Sequence, residues 1–189
     1  MKLKTNLITI FATALITHYV VAAAQPNTVW VPIQSHTPDV SMAKPGAVMN
    51  ADEALHITVS LQVRDKAGLD ALTSGVTAGA SPAPLTSAQF QSKYAPADDA
   101  VSAVVAYLSK NGFSNITVAS NHLLITANGN VGAAKSAFHV NMQHFSVGGR
   151  DAYANVNDPV VPKELGTIVL AVQGLQNVHM PHTMLKAKE

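Results

Sequence analysis

The chain has no cysteine and few charged residues. Asp, Glu, Lys and Arg make up 12% of its 189 residues, and the formal net charge is +1. Without cysteine there can be no disulfide framework, thiol nucleophile or thiolate metal site. The small net charge, with no run of Lys or Arg, gives no general attraction to nucleic acid or to an anionic membrane surface, so we expect neither as a partner. The 48% apolar fraction instead indicates a globular domain.

The first 24 residues have the pattern of a signal peptide. Lys2 and Lys4 precede an apolar stretch over 7–21, and the small residues Ala22 and Ala24 fit the A-x-A rule for cleavage after Ala24. The alternative is a membrane anchor, but the apolar run is about 15 residues long, against the roughly 20 that span a bilayer. We therefore expect a secreted or periplasmic protein without a stable membrane anchor.

The remaining chain divides into three segments. Residues 25–53 are rich in proline and have little periodicity, which predicts an extended N-terminal arm. Residues 54–176 hold regular helix and strand patterns and form the predicted domain. Residues 177–189 have no pattern that would let them fold alone, and they are typical of a linker-like tail.

The hydrophobic pattern of 54–176 predicts both strands and helices. Alternation over 54–63 indicates a half-buried strand, and an i, i+3, i+4, i+7 pattern predicts a helix from Asp98 to the stop signal Asn111-Gly112. Further patterns predict helices over 65–76, 87–95 and 129–140, a hairpin around Asn121, a two-residue turn at Gly148-Gly149, one helical turn at 163–165 and a strand over 168–172. The order β, α, α, β, β, α, β with a hairpin extension indicates an α+β fold. We expect a ferredoxin-like open sandwich, an antiparallel sheet with two main helices on one face.

No catalytic, cofactor-binding or metal-binding group of residues is visible. No serine lies in a G-x-S-x-G motif, and the 11 acidic residues are scattered. His139 and His144 are five residues apart, which places them on opposite faces of a strand. His179 and His182 flank a proline, but no further metal ligands lie near them in the sequence. We therefore predict no site residue and no cofactor.

Three groups of motifs resemble, in order, the activation domain of the sedolisin family, the kumamolisin-like serine-carboxyl peptidases. Residues 84–113 resemble its L-T-x-x-x-F segment followed by a helix ending in G-F, and 121–147 its strand, A-F-H helix end and strand. Residues 148–177 resemble its G-R-x-Y-x-A-N, D-P-x-x-P-x-x-L and V-x-G-L-x-N ending. One departure, Ser-Pro-Ala-Pro over 81–84 in place of a Y-H-x-x-L-T type segment, affects the path of that loop.

The resemblance implies a zymogen prodomain over 54–176. In such precursors the prodomain packs its sheet on the serine-type peptidase domain, assists its folding and blocks the cleft, and the connecting tail is cut in acid. The catalytic Ser of the family's G-T-S motif, with its Glu and Asp, belongs to the following domain. The nearest string here, Gly-Thr-Ile over 166–168, has no serine, so no catalytic or calcium-binding residue is carried over. The implied partner is a sedolisin-like catalytic domain, in cis in relatives and in trans here.

Three functions remain open at this point. The first is a truncated or split precursor, whose gene product ends before the peptidase begins, acting as folding assistant and inhibitor. The second is a standalone secreted peptidase inhibitor. The third is a small enzyme or a general binding protein on a common fold.

Two features bear on the expected partner contact. The apolar runs 123–125 and 169–172 fit either a surface that a partner covers or simply central strands. His122, His139 and His144 are candidates for acid release, because histidines near an interface become charged as the pH falls below about 6.5. Burial of that charge at the interface would be costly.

Overall fold

The computed structural model describes residues 28–79 and 83–179. The predicted signal peptide and the tail beyond 179 lie outside the described residues. Within these ranges the elements follow the order β1 (Trp30–Pro32), β2 (Lys44–Val48), β3 (Ala54–Leu61), α1 (Lys66–Thr77), α2 (Ser87–Lys93), α3 (Asp98–Lys110), β4 (Ser114–Val118), β5 (Leu124–Asn130), α4 (Val131–Phe138), β6 (Met142–Val147), β7 (Arg150–Asn155), β8 (Val160–Pro162), a 3-10 turn (Lys163–Leu165) and β9 (Val169–Gln173).

The main sheet has four antiparallel strands in the order β4-β5-β3-β9. The alternation that predicts a strand at 54–63 is realised in β3, where Leu55, Ile57, Val59 and Leu61 are at most 4% exposed. Ile125 of β5 lies on the same face and is fully buried. One face of the main sheet therefore forms the floor of the hydrophobic core.

Helices α3 and α4 cover that face. α3 buries Val101, Val104 and Leu108, as its apolar spacing predicts, and α4 buries Phe138 and four smaller residues. Tyr107 links the two helices, because its hydroxyl donates to the carbonyl of Ala137 at 2.6 Å. Burial raises the pKa of the Tyr107 hydroxyl to about 12. The predicted α+β open sandwich with two main helices on one face is confirmed.

Polar caps and a glycine stop define the helix ends. Asn130 caps α4 by accepting from the backbone N–H of Ala133 at 2.8 Å, and Thr86 and Gln89 form a reciprocal capping box at the start of α2. Gly112 ends α3 with a φ of +91°, a backbone conformation that glycine adopts without strain. α1 and α2 are peripheral, and neither contains a buried residue.

The N-terminal segment pairs with two distant parts of the chain. β1 pairs with β8, and β2 joins the β6-β7 hairpin in a second, three-stranded sheet. The hairpin turns at Gly148 and Gly149, both with positive φ, as predicted. The predicted order β, α, α, β, β, α, β omits β1, β2 and β8, and it counts only two helices before β4, although the individual patterns predict the three that are present, α1, α2 and α3. β1, β2 and β8 each have three to five residues and contain a proline, so they are too short to show the two-residue alternation of a strand.

No helix within residues 28–79 and 83–179 is long and apolar enough to cross a membrane.

Candidate functional site

The face of the main sheet opposite the helices is open. Strand pairing brings together side chains that alternate with the core residues, and all of them are exposed or half-buried: His56, Thr58, Ser60, Thr117, Leu124, Thr126, Asn128, Ala171 and Gln173. We call this set the open face. One contact within it is well defined, since the Nδ1 of His56 lies 2.7 Å from the Oδ1 of Asn128.

The open face is polar but contains no Asp, Glu, Lys or Arg. Its hydroxyl and amide side chains can form hydrogen bonds either to water or to a partner, so covering them leaves no unpaired charge. The centres of protein interfaces are depleted of charged residues in the same way. The composition therefore fits a surface that another protein covers.

An apolar groove of about 320 Å³ adjoins this face, lined in part by Leu123, Leu124 and Leu170. Leu124 is 41% exposed, whereas Val169 and Val172 are 3% and 4% exposed. The two apolar runs of the sequence therefore fit both interpretations, because Ile125, Val169 and Val172 lie in the core whereas the leucines line the groove.

The three histidines predicted to act in acid release lie apart from one another. His122 is 3.4 Å from the carboxylate of Asp98, and His144 is 3.0 Å from that of Glu53. The ring of His139, which has a φ of +53°, lies 3.6 Å from that of Trp30. None of the three belongs to the strands of the open face.

Each of these rings already has a partner within the domain. A carboxylate faces two of them, and the indole ring of Trp30 lies against the third. The pKa of Glu53 is lowered, first by the N–H of Asn50 and then by His144, so this carboxylate stays charged in mild acid. The three histidines are therefore engaged by contacts within the domain, away from the open face.

His56 is the histidine of the open face, and it faces the neutral amide of Asn128. The sequence marks it only as one polar position of an alternating strand. Its place beside Asn128 depends on the register of β3 against β5, which no sequence motif specifies.

Two groups of motif residues meet at the end of the domain. Arg150, Tyr153 and Asn155, from the G-R-x-Y-x-A-N segment, contact the G-L-x-N segment over 174–177. In the sequence these motifs are separate segments, and in the structure they form hydrogen bonds with each other.

Among the described residues no cluster of three or more His, Asp or Glu side chains could hold a metal ion. The side chains of His139 and His144 contact different groups, the ring of Trp30 and the carboxylate of Glu53. His182 lies outside the described residues, so the structure gives the position of His179 only. The Nε2 of His179 lies 2.8 Å from the carbonyl oxygen of Asp39.

Comparison with known proteins agrees with this architecture. The family model of the pro-kumamolisin activation domain matches residues 43–178. The chain is 41% identical over 176 residues to sedolisin from Pseudomonas sp. (strain 101), which covers 88% of this chain and 30% of that protein. It is 42% identical over 139 residues to xanthomonalisin from Xanthomonas sp. (strain T-22), which covers 72% of this chain and 17% of that protein. The chain thus spans less than a third of either relative, and it belongs to the pro-kumamolisin activation domain family, the prodomains of sedolisin-type peptidases.

Proposed function

We propose that this chain is the inhibitory and folding-assistant prodomain of a secreted sedolisin-type serine peptidase, and that it docks on the catalytic domain through the open face. The observation that carries the proposal is that the open face is uncovered and has no Asp, Glu, Lys or Arg, in a chain of this family. The signal-peptide pattern over 1–24 supports secretion.

The open face alone is too small for a stable complex. Four strands with five residues each span about 14 Å by 16 Å, or roughly 230 Å² in plan. A standard interface buries about 800 Å² on each partner. The partner must therefore extend beyond the strands, and the groove beside Leu124 is the adjoining apolar surface that can take a side chain from it.

Docking through a preformed face does not require a covalent connection. We therefore propose that the domain also acts in trans on a separate catalytic domain. The two relatives are much longer than this chain. The partner that we propose is a catalytic domain of the sedolisin type.

The proposal is tested by mixing the purified chain with a sedolisin-type catalytic domain and measuring peptide hydrolysis from acid to neutral pH. Thr58→Arg places a charge at the centre of the open face, and burial of an unpaired guanidinium should weaken inhibition roughly tenfold or more. Thr73→Arg, on the exposed surface of α1, is the matched control and should inhibit as the native chain does.

Other outcomes would contradict the proposal. If the native chain slows hydrolysis at no pH, inhibition is ruled out. If Thr58→Arg and Thr73→Arg have equal effects, docking through the open face is wrong. Recovery of active catalytic domain after refolding, with and without the chain, separates a folding assistant from a standalone inhibitor, which would inhibit without raising that recovery.

A further inference from the structure

The last described residues are fastened to the start of β7. The Nη2 of Arg150 donates to the carbonyl oxygens of Asn177 and Val178 at 2.9 and 3.3 Å, and its Nη1 donates to that of Asp151 at 3.2 Å. Arg150 is half-buried. Its planar guanidinium can hold two neighbouring carbonyls at once, which a lysine ammonium cannot do with the same geometry.

Tyr153 and Asn177 make a second, reciprocal contact. The N–H of Tyr153 donates to the Oδ1 of Asn177 at 2.7 Å, and the N–H of Asn177 donates to the carbonyl of Tyr153 at 2.9 Å. Asn155, 2% exposed, donates its N–H to the carbonyl of Leu175 at 3.0 Å. Residues 175–177 therefore lie against β7, where Ala154 and Gln176 form an isolated antiparallel bridge.

The segment is also packed at its end. Val178 is 6% exposed and belongs to a small apolar cluster with Phe145, Ala152 and Ala154. A segment that is held by these backbone hydrogen bonds and buries the side chain of Val178 must open locally before a peptidase can bind it. The peptide bonds from Gly174 to Val178 are therefore protected in the folded domain.

We propose that Arg150, Tyr153 and Asn177 form an exit clamp that protects residues 174–178 from a peptidase and so excludes processing from this part of the chain. The hydrolysis itself is carried out by the attacking peptidase, with water adding across the bond to leave a new carboxylate and a new amine. Only the class of the processing peptidase rests on the proposed function. The protection is a property of this chain alone.

The test is limited proteolysis of the full chain with proteinase K, followed by mass spectrometry of the fragments over time. Arg150→Gln removes the fork between two carbonyls, so cleavage within 174–178 should become roughly tenfold faster, since hydrogen bonds to a charged group contribute to the local opening free energy. Arg64→Gln is the matched control. Arg64 also donates to backbone carbonyls, those of Gln91 and Ser92 at the end of α2, and its loss should leave cleavage within 174–178 unchanged.

Asn177→Ala provides a second variant if Arg150→Gln lowers overall stability. It removes only the acceptor for the N–H of Tyr153 and should also speed cleavage within 174–178, while hydrogen exchange of the core amides of β3 stays native. Native cleavage patterns in both variants, or equal opening by Arg64→Gln, would overturn the proposal. Since no catalytic domain is present, failure of docking in the trans experiment would leave this result unaffected.

Discussion

Replacement of Gly174 by alanine should destabilise the domain strongly. Gly174 has a φ of +92° and directs the chain out of β9 towards β7, and its carbonyl accepts from the hydroxyl of Tyr153 at 3.3 Å. A Cβ at this position would collide with the backbone carbonyl oxygen of His56, which belongs to β3, the strand between β5 and β9. The alanine therefore faces both an unfavourable backbone conformation and a neighbour that cannot move without disturbing the sheet.

The two effects can be separated by a second glycine. The backbone conformation costs about 1–2 kcal/mol for a residue with a Cβ, and forcing an atom into a packed region adds about 1–3 kcal/mol. Gly79 has the same φ of +92° but has no atom within 4 Å of its added Cβ. Gly79→Ala should therefore show the backbone cost alone.

Thermal unfolding followed by circular dichroism measures the difference. For a domain of this size each kcal/mol lowers the Tm by about 2–4 °C, so Gly174→Ala should lose roughly 4–20 °C and Gly79→Ala roughly 2–8 °C. The order of the two variants is the decisive result. If Gly79→Ala is as destabilised as Gly174→Ala, the contact with His56 contributes nothing and the reasoning fails.

Two further predictions concern acid. The pKa of Asp158 is lowered by hydrogen bonds from the hydroxyl and N–H of Thr37, so its contribution to stability is present above the usual Asp pKa and is lost as the pH falls through the lower folded value. Asp158→Asn should therefore unfold at a lower temperature than the native chain at neutral pH, with a smaller gap at about pH 3, and an equal gap at both pH values would contradict this. His56→Gln keeps a hydrogen-bonding group opposite the Oδ1 of Asn128 but cannot take up a proton, so inhibition of a sedolisin-type catalytic domain should weaken less from neutral to acid pH than with the native chain. His144→Gln is its control and should keep the native pH profile, because Glu53 already faces that ring; a native profile for His56→Gln would refute the role of His56.

The elements with a long, regular pattern could be predicted from the sequence. β3 and α3 each repeat their apolar spacing over several residues, and α4 has a polar cap at Asn130, so their type followed from local chemistry. The strands β1 and β8 could not be found in this way. Each has three residues and is defined by its pairing with the other, which is a property of the tertiary structure.

The site was predicted less completely, for the same reason. The sequence indicates which histidines and motifs are present, but the register of β3 against β5 decides that His56 lies on the open face. Likewise, Arg150 and Asn177 are conspicuous only as members of separate motifs until the fold places them within hydrogen-bonding distance. Resemblance identified the family, and only the paired strands show which surface of the domain remains uncovered.

The attachment of the N-terminal segment to the last strand has a consequence for synthesis. Ser35 exchanges hydrogen bonds with the backbone of Val172, a partner 137 positions later in the chain, at 2.8 and 2.7 Å. Contacts of such long sequence separation form late, because most of the polypeptide has to be available before they can close. The domain therefore cannot finish folding until β9 has left the ribosome. Any sequence translated after β9 would meet a domain that has only just closed.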